Sequence, residues 1–316
     1  MIIATDFSGI GAPEQALTNL GIKYKTAFAC EIDKHARKSY EAIHGRPVDF
    51  YNDITKRDHK ETEKVNLYFA GFPCQSFSLA GKRRGFNEVR GTLFFNVAEY
   101  IKTTRPECFV LENVKGLINH DHGKTFKTII SLLSDNGGTV NGQMSIPYFS
   151  DGLGYHLYYS VLNSKNYGVP QNRERIFIIG FKNFRSFNFP KPEPLKIFLA
   201  DILEKKVNEK HFLSKKTIKR LKKSLRSRGF KNKDTKCVPC IIALYFKTPT
   251  DGFYIKDNSK VRRLTPRECF RLQGFKDSQF NKAAGVCSDQ QLYKQAGNSI
   301  TVDVLEKIIK KILYID

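Results

Sequence analysis

The chain has 316 residues, 41% hydrophobic and 12% aromatic, enough to bury a core in one large domain or two unequal ones, which excludes a disordered chain or a disulfide-stapled miniprotein. No apolar run approaches the ~18 residues of a membrane span, no basic stretch and apolar run open the N-terminus, and seven cysteines lie scattered from Cys30 to Cys287, so a soluble cytosolic protein with free thiols is expected. Formal charge is +22, and Lys205–Lys236 alone holds fourteen Lys and Arg against Glu209 and Asp234, a density that favours contact with a polyanion over a merely solvated basic face.

In chain order, Ile2–Phe7, Lys25–Ile32, Val48–Phe50, Val65–Phe72, Cys108–Glu112, His156–Asn163 and Ile176–Phe181 are short runs of apolar, β-branched and aromatic residues. Between them, Pro13–Leu20, His35–Ile43, Leu93–Thr103 and Thr125–Leu133 carry apolar residues at helical spacing. The alternation predicts an α/β fold with a parallel sheet covered by helices. Pro190, Pro192 and Pro194 can continue neither a helix nor a central strand, so a domain boundary is placed there. In the basic block, Ser214 is expected to cap a helix with Ile218, Leu221 and Leu225 on one side and lysines on the other. Asp251-Gly252 suggests a hairpin between Ile242–Phe246 and Phe253–Ile255. Leu264–Phe275 reads as a helix capped by Thr265, with Pro266 in its first turn and Glu268 completing a capping box. Ser299–Leu313 reads as a last amphipathic helix.

The candidate chemistry gathers at the ends of the predicted strands. The first strand runs into Asp6-Phe7-Ser8-Gly9-Ile10-Gly11 and then a helix, a place for backbone to turn tightly beside a ligand. Glu31 closes the second strand and Asp53 follows the third, where an open α/β sheet holds a ribose. The fourth strand ends in Gly71-Phe72-Pro73-Cys74-Gln75, which places a thiol, the best side-chain nucleophile near neutral pH, at the same edge. Glu112, ending the fifth, is placed to donate a proton there if its carboxyl stays protonated. Arg173 and Arg175, two residues apart on an extended chain, would share a face and clamp a phosphate or a base edge. A loop needed only for packing, surface acids and an inert thiol are the plain alternatives for each taken singly.

Together and in this order, Asp6–Gly11, Glu31, Asp53, Gly71–Ser78, Arg90–Phe95, Glu112–Val114, Gln171–Arg175, Arg263–Phe275 and Gly297–Ser299 resemble the motifs of the compact bacterial or phage DNA (cytosine-5)-methyltransferases. The resemblance covers nearly the whole chain except residues 182–261. It implies a Rossmann-like methyltransferase domain (1–183 with 290–316) around a mixed, mostly parallel seven-stranded sheet, and a smaller target recognition domain with its hinge (184–289). It implies S-adenosylmethionine as methyl donor, with no metal. Phe7 and Ile32 would lie against the adenine, Glu31 on the ribose and Asp53 on the adenine amino group, while Gly9, Gly11, Ile54, Pro73, Leu93, Asn298 and Ser299 complete the pocket. It further implies that Cys74 adds to carbon 6 of a flipped-out cytosine, with Glu112 at ring nitrogen 3 and Arg173 and Arg175 near the base and thiol. Gln75, Ser78, Lys82, Arg83 and Arg84 would belong to a loop that closes over DNA, and Lys215, Lys216, Lys219 and Arg220 would meet phosphates.

The implied partner is double-stranded DNA, methylated by a monomer in the cytosol of a bacterium or a phage-infected host. A restriction endonuclease would share the site without needing to bind the chain. One departure from the pattern is Cys240-Ile241 where the family usually carries Thr-Leu. Cys237 and Cys240 have the spacing of half a zinc site, but no second pair exists, so two small core residues are the favoured reading. A tRNA-modifying relative lacks support because its Cys-Phe-Thr signature is missing, and an amino-group methyltransferase is disfavoured because Gly-Phe-Pro-Cys replaces its Asp/Asn-Pro-Pro-aromatic motif. An inactive DNA-binding descendant is disfavoured by the presence of Cys74, Glu112, Arg173, Arg175 and Asn298.

Overall fold

A computed structural model describes residues 1–73, 93–144 and 152–314. Strand β1 (Ile2–Asp6) leads to helix α1 (Ala12–Asn19), β2 (Lys25–Cys30) leads to α2 (Lys34–His44), and β3 (Asp49–Tyr51) follows. Next come β4 (Leu67–Ala70), α3 (Leu93–Thr104), β5 (Cys108–Val114) and α4 (Lys124–Ser134). A small hairpin of β6 (Thr139–Val140) and β7 (Gln143–Met144) precedes β8 (His156–Asn163), β9 (Gln171–Asn172) and β10 (Glu174–Phe181).

The main sheet has the order β3-β2-β1-β4-β5-β10-β8-β6-β7. Its β3-β2-β1-β4-β5 portion is parallel, and β10 runs antiparallel to both neighbours. Seven of these strands are the expected ones; the β6–β7 hairpin adds two more, making nine among the described residues. Asn141 and Gly142 turn this hairpin with φ of 49° and 82°, an Asn-Gly signal for a two-residue turn that lies between strands too short to stand out in the sequence. All four residues of β4 are buried, as suits a central parallel strand covered on both faces.

From β1 the chain steps one way to β2 and β3, then returns to the other side with β4 and β5. That reversal opens a crevice at the carboxyl ends of β1 and β4. A buried ion pair supports the crevice from below: Arg57 donates to both Asp6 oxygens at 2.6 and 2.7 Å, and Tyr68 donates its hydroxyl to Oδ2 at 2.6 Å. The guanidinium also lies 4.2 Å from the Phe28 ring centroid, so the charge is paired on its edge and covered on its face.

The remaining elements are α5 (Leu199–Ile202), α6 (Lys215–Lys223), β11 (Phe230–Lys231), β12 (Val238–Pro239), β13 (Tyr254–Asp257), β14 (Lys260–Arg262), α7 (Pro266–Arg271), α8 (Asp277–Ala284), α9 (Asp289–Asn298) and α10 (Val302–Leu313). Ser214 caps α6 through the Thr217 amide, and Thr265 and Glu268 form the expected capping box on α7. Three expectations need correction. Leu225 lies past the end of α6 and is fully exposed, leaving Leu221 as the buried anchor. The hairpin is β13–β14, turned at Asn258 with φ 52°, because residues 245–247 coil into a short 3-10 turn whose buried Tyr245 donates its hydroxyl to Phe253 O at 2.7 Å. The helix expected over Ser299–Leu313 begins only at Val302, and two further helices, α8 and α9, precede it.

One face of the sheet (Ile3, Phe69, Phe177, Ile179) shares a continuous apolar core with Leu17, Leu305 and Ile309 and with Tyr245, Phe253 and Phe270 from beyond residue 184. The other face packs Phe28, Phe109 and Ile178 under Phe94, Ile101 and Leu132. Among the described residues no helix is long and apolar enough to cross a membrane, and Cys30, Cys108, Cys237, Cys240, Cys269 and Cys287 are free thiols.

Candidate active site

After β1 the backbone turns through left-handed conformations at Phe7, Gly9 and Gly11, with φ of 54°, 55° and 79°. The turn is tied to β2: the Ser8 amide donates to Cys30 O at 3.0 Å, and the Cys30 amide donates back to Ser8 Oγ at 3.0 Å. Glu31 completes the tie by accepting the Gly9 amide on Oε2 at 2.9 Å and the Asp33 amide on Oε1 at 2.8 Å. Burial pushes this carboxyl up, and the two amides pull it back. Glu31 therefore sits at the expected strand end and also holds the loop in place.

Phe7, Gly9, Glu112, Asn298 and Ser299 line one small cavity of about 40 Å³, together with Gly71 and Ile300. A second, shallower cleft of about 380 Å³ contains Ile32, Tyr51 and Asp53. Ile32 is 77% exposed there, an unburied aliphatic side chain at the edge of a cleft with an aromatic ring. Asp53 accepts from the Thr55 amide and hydroxyl at 3.0 and 2.7 Å, and the hydroxyl bond chiefly holds its carboxyl below the ordinary range. Between them the cavity and the cleft offer the backbone of the Phe7–Ile10 turn, the Glu112 and Asp53 carboxylates and apolar side chains to a ligand. Gly11 caps α1, Ile54 is buried behind the cleft, Leu93 opens α3 against the core, and Pro73 is exposed after β4. None of these four lines either cavity.

Glu112 reaches the first cavity from β5. Arg175, on the adjacent β10, meets it with Nε 2.9 Å from Oε1. The other oxygen lies 3.4 Å from where a Cβ on Gly71 would be, so it faces the residues that end β4. Burial pushes the Glu112 carboxyl up, opposed by the charges of Arg175 and Arg173, which favours the protonated form that can donate. The Asn113 side chain donates to Phe72 O at 2.8 Å, fixing the approach to Pro73. Nothing in the sequence around Asn113 marks this positioning contact.

Arg173 departs from expectation. Its guanidinium turns inward and donates to Ser299 O at 2.7 Å, Gly297 O at 3.2 Å, Ile241 O at 3.3 Å and Cys240 Sγ at 3.1 Å. The two arginines do not share a face because the strand breaks between β9 and β10, where the Arg173 amide bonds Gln171 O at 3.0 Å. Neighbouring Gln171, fully buried, accepts from the Ile241 amide at 2.9 Å and donates to Leu272 O at 2.8 Å. Arg173 and Gln171 thus join the β9–β10 segment to residues 237–241, to the end of α7 at Leu272 and to the end of α9 at Gly297 and Ser299. The Cys240 thiol, where a hydroxyl was the usual pattern, is engaged by Arg173.

Lys215, Lys216 and Lys219 are exposed on α6, while Arg220 donates to Thr248 O at 2.8 Å. Cys74, Gln75, Ser78, Lys82, Arg83 and Arg84 lie outside the described residues. Among those described, no three His, Cys, Asp or Glu side chains gather as a metal-binding group.

The profile of the C-5 cytosine-specific DNA methylases matches residues 4–314. The chain belongs to that family. Among its relatives, the Type II methyltransferase M.HpaII of Haemophilus parainfluenzae is 40% identical over 97% of this chain and 87% of its own length. The Type II methyltransferase M.SsoII of Shigella sonnei is 39% identical over 97% and 78%. The crystal structure of the S. pombe Dnmt2 methyltransferase superposes with a TM-score of 0.75 at 19% identity, covering 99% of this chain and 98% of that one, so the fold is that of the Rossmann-like methyltransferases. As a C-5 cytosine-specific DNA methylase, the chain acts on DNA as a cytosine-5 methyltransferase, consistent with the expectation from its motifs.

Proposed function

We propose that this methyltransferase takes the methyl group from S-adenosylmethionine and places it on carbon 5 of a cytosine flipped out of a short, specific double-stranded sequence, through a covalent Cys74 adduct. The observation that carries the reading is Glu112: a buried carboxyl, paired with Arg175, that opens into the same cavity as the Phe7–Gly11 turn and Asn298. When bound there, S-adenosylmethionine supplies an electrophilic methyl group. Phe7, Ile32 and Asp53 would hold its adenosine end, and Glu31, which fixes the turn through the Gly9 amide, would hold the ribose.

Carbons 5 and 6 are stacked inside a duplex, so the base must leave the helix to be reached. The Cys74 thiolate forms a bond to carbon 6, and the displaced electron pair moves toward nitrogen 3, where Glu112 delivers its proton. Carbon 5, now electron-rich, takes the methyl group. S-adenosylhomocysteine is the leaving group of that transfer; water then takes the carbon 5 proton as the C6–S bond breaks and the thiolate is expelled, nitrogen 3 returns its proton to Glu112, and aromaticity is restored. Arg175 orients Glu112 and keeps its conjugate base paired.

In this reading residues 184–289 form the target recognition domain, with the exposed lysines of α6 against phosphates. The chain works as a monomer in the cytosol, alongside a restriction endonuclease with the same site, as the names of its Type II relatives suggest. Incubation with labelled S-adenosylmethionine and unmethylated genomic DNA, followed by bisulfite-type sequencing, is expected to give cytosine-5 methylation in one short context. Label appearing on total tRNA and not on DNA would overturn the substrate.

Replacing Lys215, Lys216 and Lys219 with Gln is expected to flatten the dependence of log affinity on log salt by about 0.9 for each phosphate that is no longer neutralised. Titration of a duplex at several salt concentrations measures it. An unchanged slope would turn α6 away from DNA.

A further inference from the structure

The Phe7–Gly11 turn is held from a direction that the motifs do not include. Helix α2 ends at His44, and its Nε2 lies 3.1 Å from Ile10 O. The ring also occupies the space beside Gly11: a Cβ built there would come within 2.4 Å of two His44 ring atoms. Gly11 is the N-cap of α1 and carries no capping side chain. One turn earlier on α2, the Tyr40 ring packs tilted at 58° against His44, 5.2 Å between centroids, and donates its hydroxyl to Glu14 Oε1 at 2.7 Å in the first turn of α1.

We propose that His44 is a positioning residue for the cofactor: by donating to Ile10 O and filling the space beside Gly11, it fixes the turn in the conformation that binds S-adenosylmethionine. The inference rests on the cofactor assignment above. Ile10 lines the small cavity, next to Gly9, so a carbonyl anchored at Ile10 sets the direction of the amides on either side. A freely rotating Gly-x-Gly turn would have to be ordered on binding, and an anchor already in place removes part of that entropic cost.

The imidazole is suited to the task. Burial lowers its pKa to about 4, against the pull of the Ile10 and Gly11 backbone, and the nearby Lys282 ammonium acts in the same direction as burial. Lys282 reaches in from α8 and donates to Ile43 O at 3.2 Å. A neutral ring has one N–H, and the carbonyl at Nε2 fixes the tautomer that donates to Ile10.

Calorimetric titration of the full chain with S-adenosylmethionine tests the proposal in His44→Phe, which keeps a ring and loses the donor, and in His44→Gln, whose amide reaches the same carbonyl. Loss of one hydrogen bond predicts Kd raised about five- to tenfold in His44→Phe and held within about twofold in His44→Gln. KM for the cofactor should rise by the same factor with kcat near the wild-type value. In the cofactor-free protein, hydrogen exchange at the Gly11 and Gln15 amides, which bond Ser8 O and Gly11 O, should quicken in His44→Phe and recover in His44→Gln. Should His44→Phe fail to fold, His44→Asn, too short to reach, takes its place against His44→Gln. Equal Kd and equal exchange in the donor-less and donor-bearing variants would overturn the role of His44. A wild-type chain that binds no S-adenosylmethionine would instead overturn the cofactor assignment.

Discussion

Cys74→Ala is expected to abolish methyl transfer while S-adenosylmethionine and DNA still bind. The thiol follows Pro73, and Pro73 follows a Phe72 whose carbonyl is held by Asn113 at 2.8 Å, so the chain enters the Cys74 segment from a fixed point at the end of β4. Without sulfur no bond forms at carbon 6, and carbon 5 of an aromatic pyrimidine is too weak a nucleophile to take the methyl group from the cofactor's sulfur. The covalent route replaces that single difficult step with two easier ones, so its removal should lower the rate by about 10⁴-fold or more. Single-turnover transfer of labelled methyl groups measures the loss, and calorimetry and duplex titration on the same protein check that binding persists. Transfer at even a tenth of the wild-type rate would sink the nucleophile assignment. Cys74→Ser makes the test sharper: a hydroxyl of similar size is a far weaker nucleophile at neutral pH, so it should resemble Ala in rate.

Much of this architecture could be read from the order of residues because the relevant signals are local. The β-branched and aromatic run Val65–Phe72 reads as a buried strand, and its Leu67–Ala70 core is one, and Thr265 with Glu268 specifies a helix start within four residues. The misreadings occur where distant contacts outweigh local pattern. Residues 242–246 look like a strand, but Tyr245 must bury its ring and satisfy its hydroxyl, and the partner available is Phe253 O. Arg173 and Arg175 would share a face on an unbroken strand, yet the backbone kinks between them and sends Arg173 to the carbonyls of Gly297 and Ser299. Ser299 and Gly297 are more than a hundred residues away, and nothing in the Gln-x-Arg-x-Arg spacing announces them. His44 is hidden in the same way, an ordinary helix-terminal histidine until Gly11 is placed beside its ring.

Glu112→Gln should lower the rate of methyl transfer by about 10²- to 10⁴-fold, the range for loss of a well-placed general acid. The amide keeps the shape of the carboxyl and one oxygen for the Arg175 Nε–H, so folding and DNA affinity should change little. It cannot deliver a proton to nitrogen 3. The pH profile separates this role from simple packing. Burial raises the Glu112 carboxyl, with the Arg175 and Arg173 charges opposing, so its protonated, donating form persists to higher pH than in water and is lost as pH rises through the raised value. Cys74 titrates in the opposite sense, its thiolate increasing with pH. The wild-type rate should therefore rise and then fall with pH, and Glu112→Gln should keep the rise from the thiol while losing the fall. The same sign applies to folding: a carboxyl whose folded pKa is raised binds its proton more tightly when folded, so the wild type loses stability relative to Glu112→Gln as pH climbs from the unfolded value through the folded one. Thermal melts of the two proteins across that interval should diverge in that direction. A Glu112→Gln profile that retains the high-pH decline would place the titrating acid elsewhere and leave Glu112 as a partner of Arg175 alone.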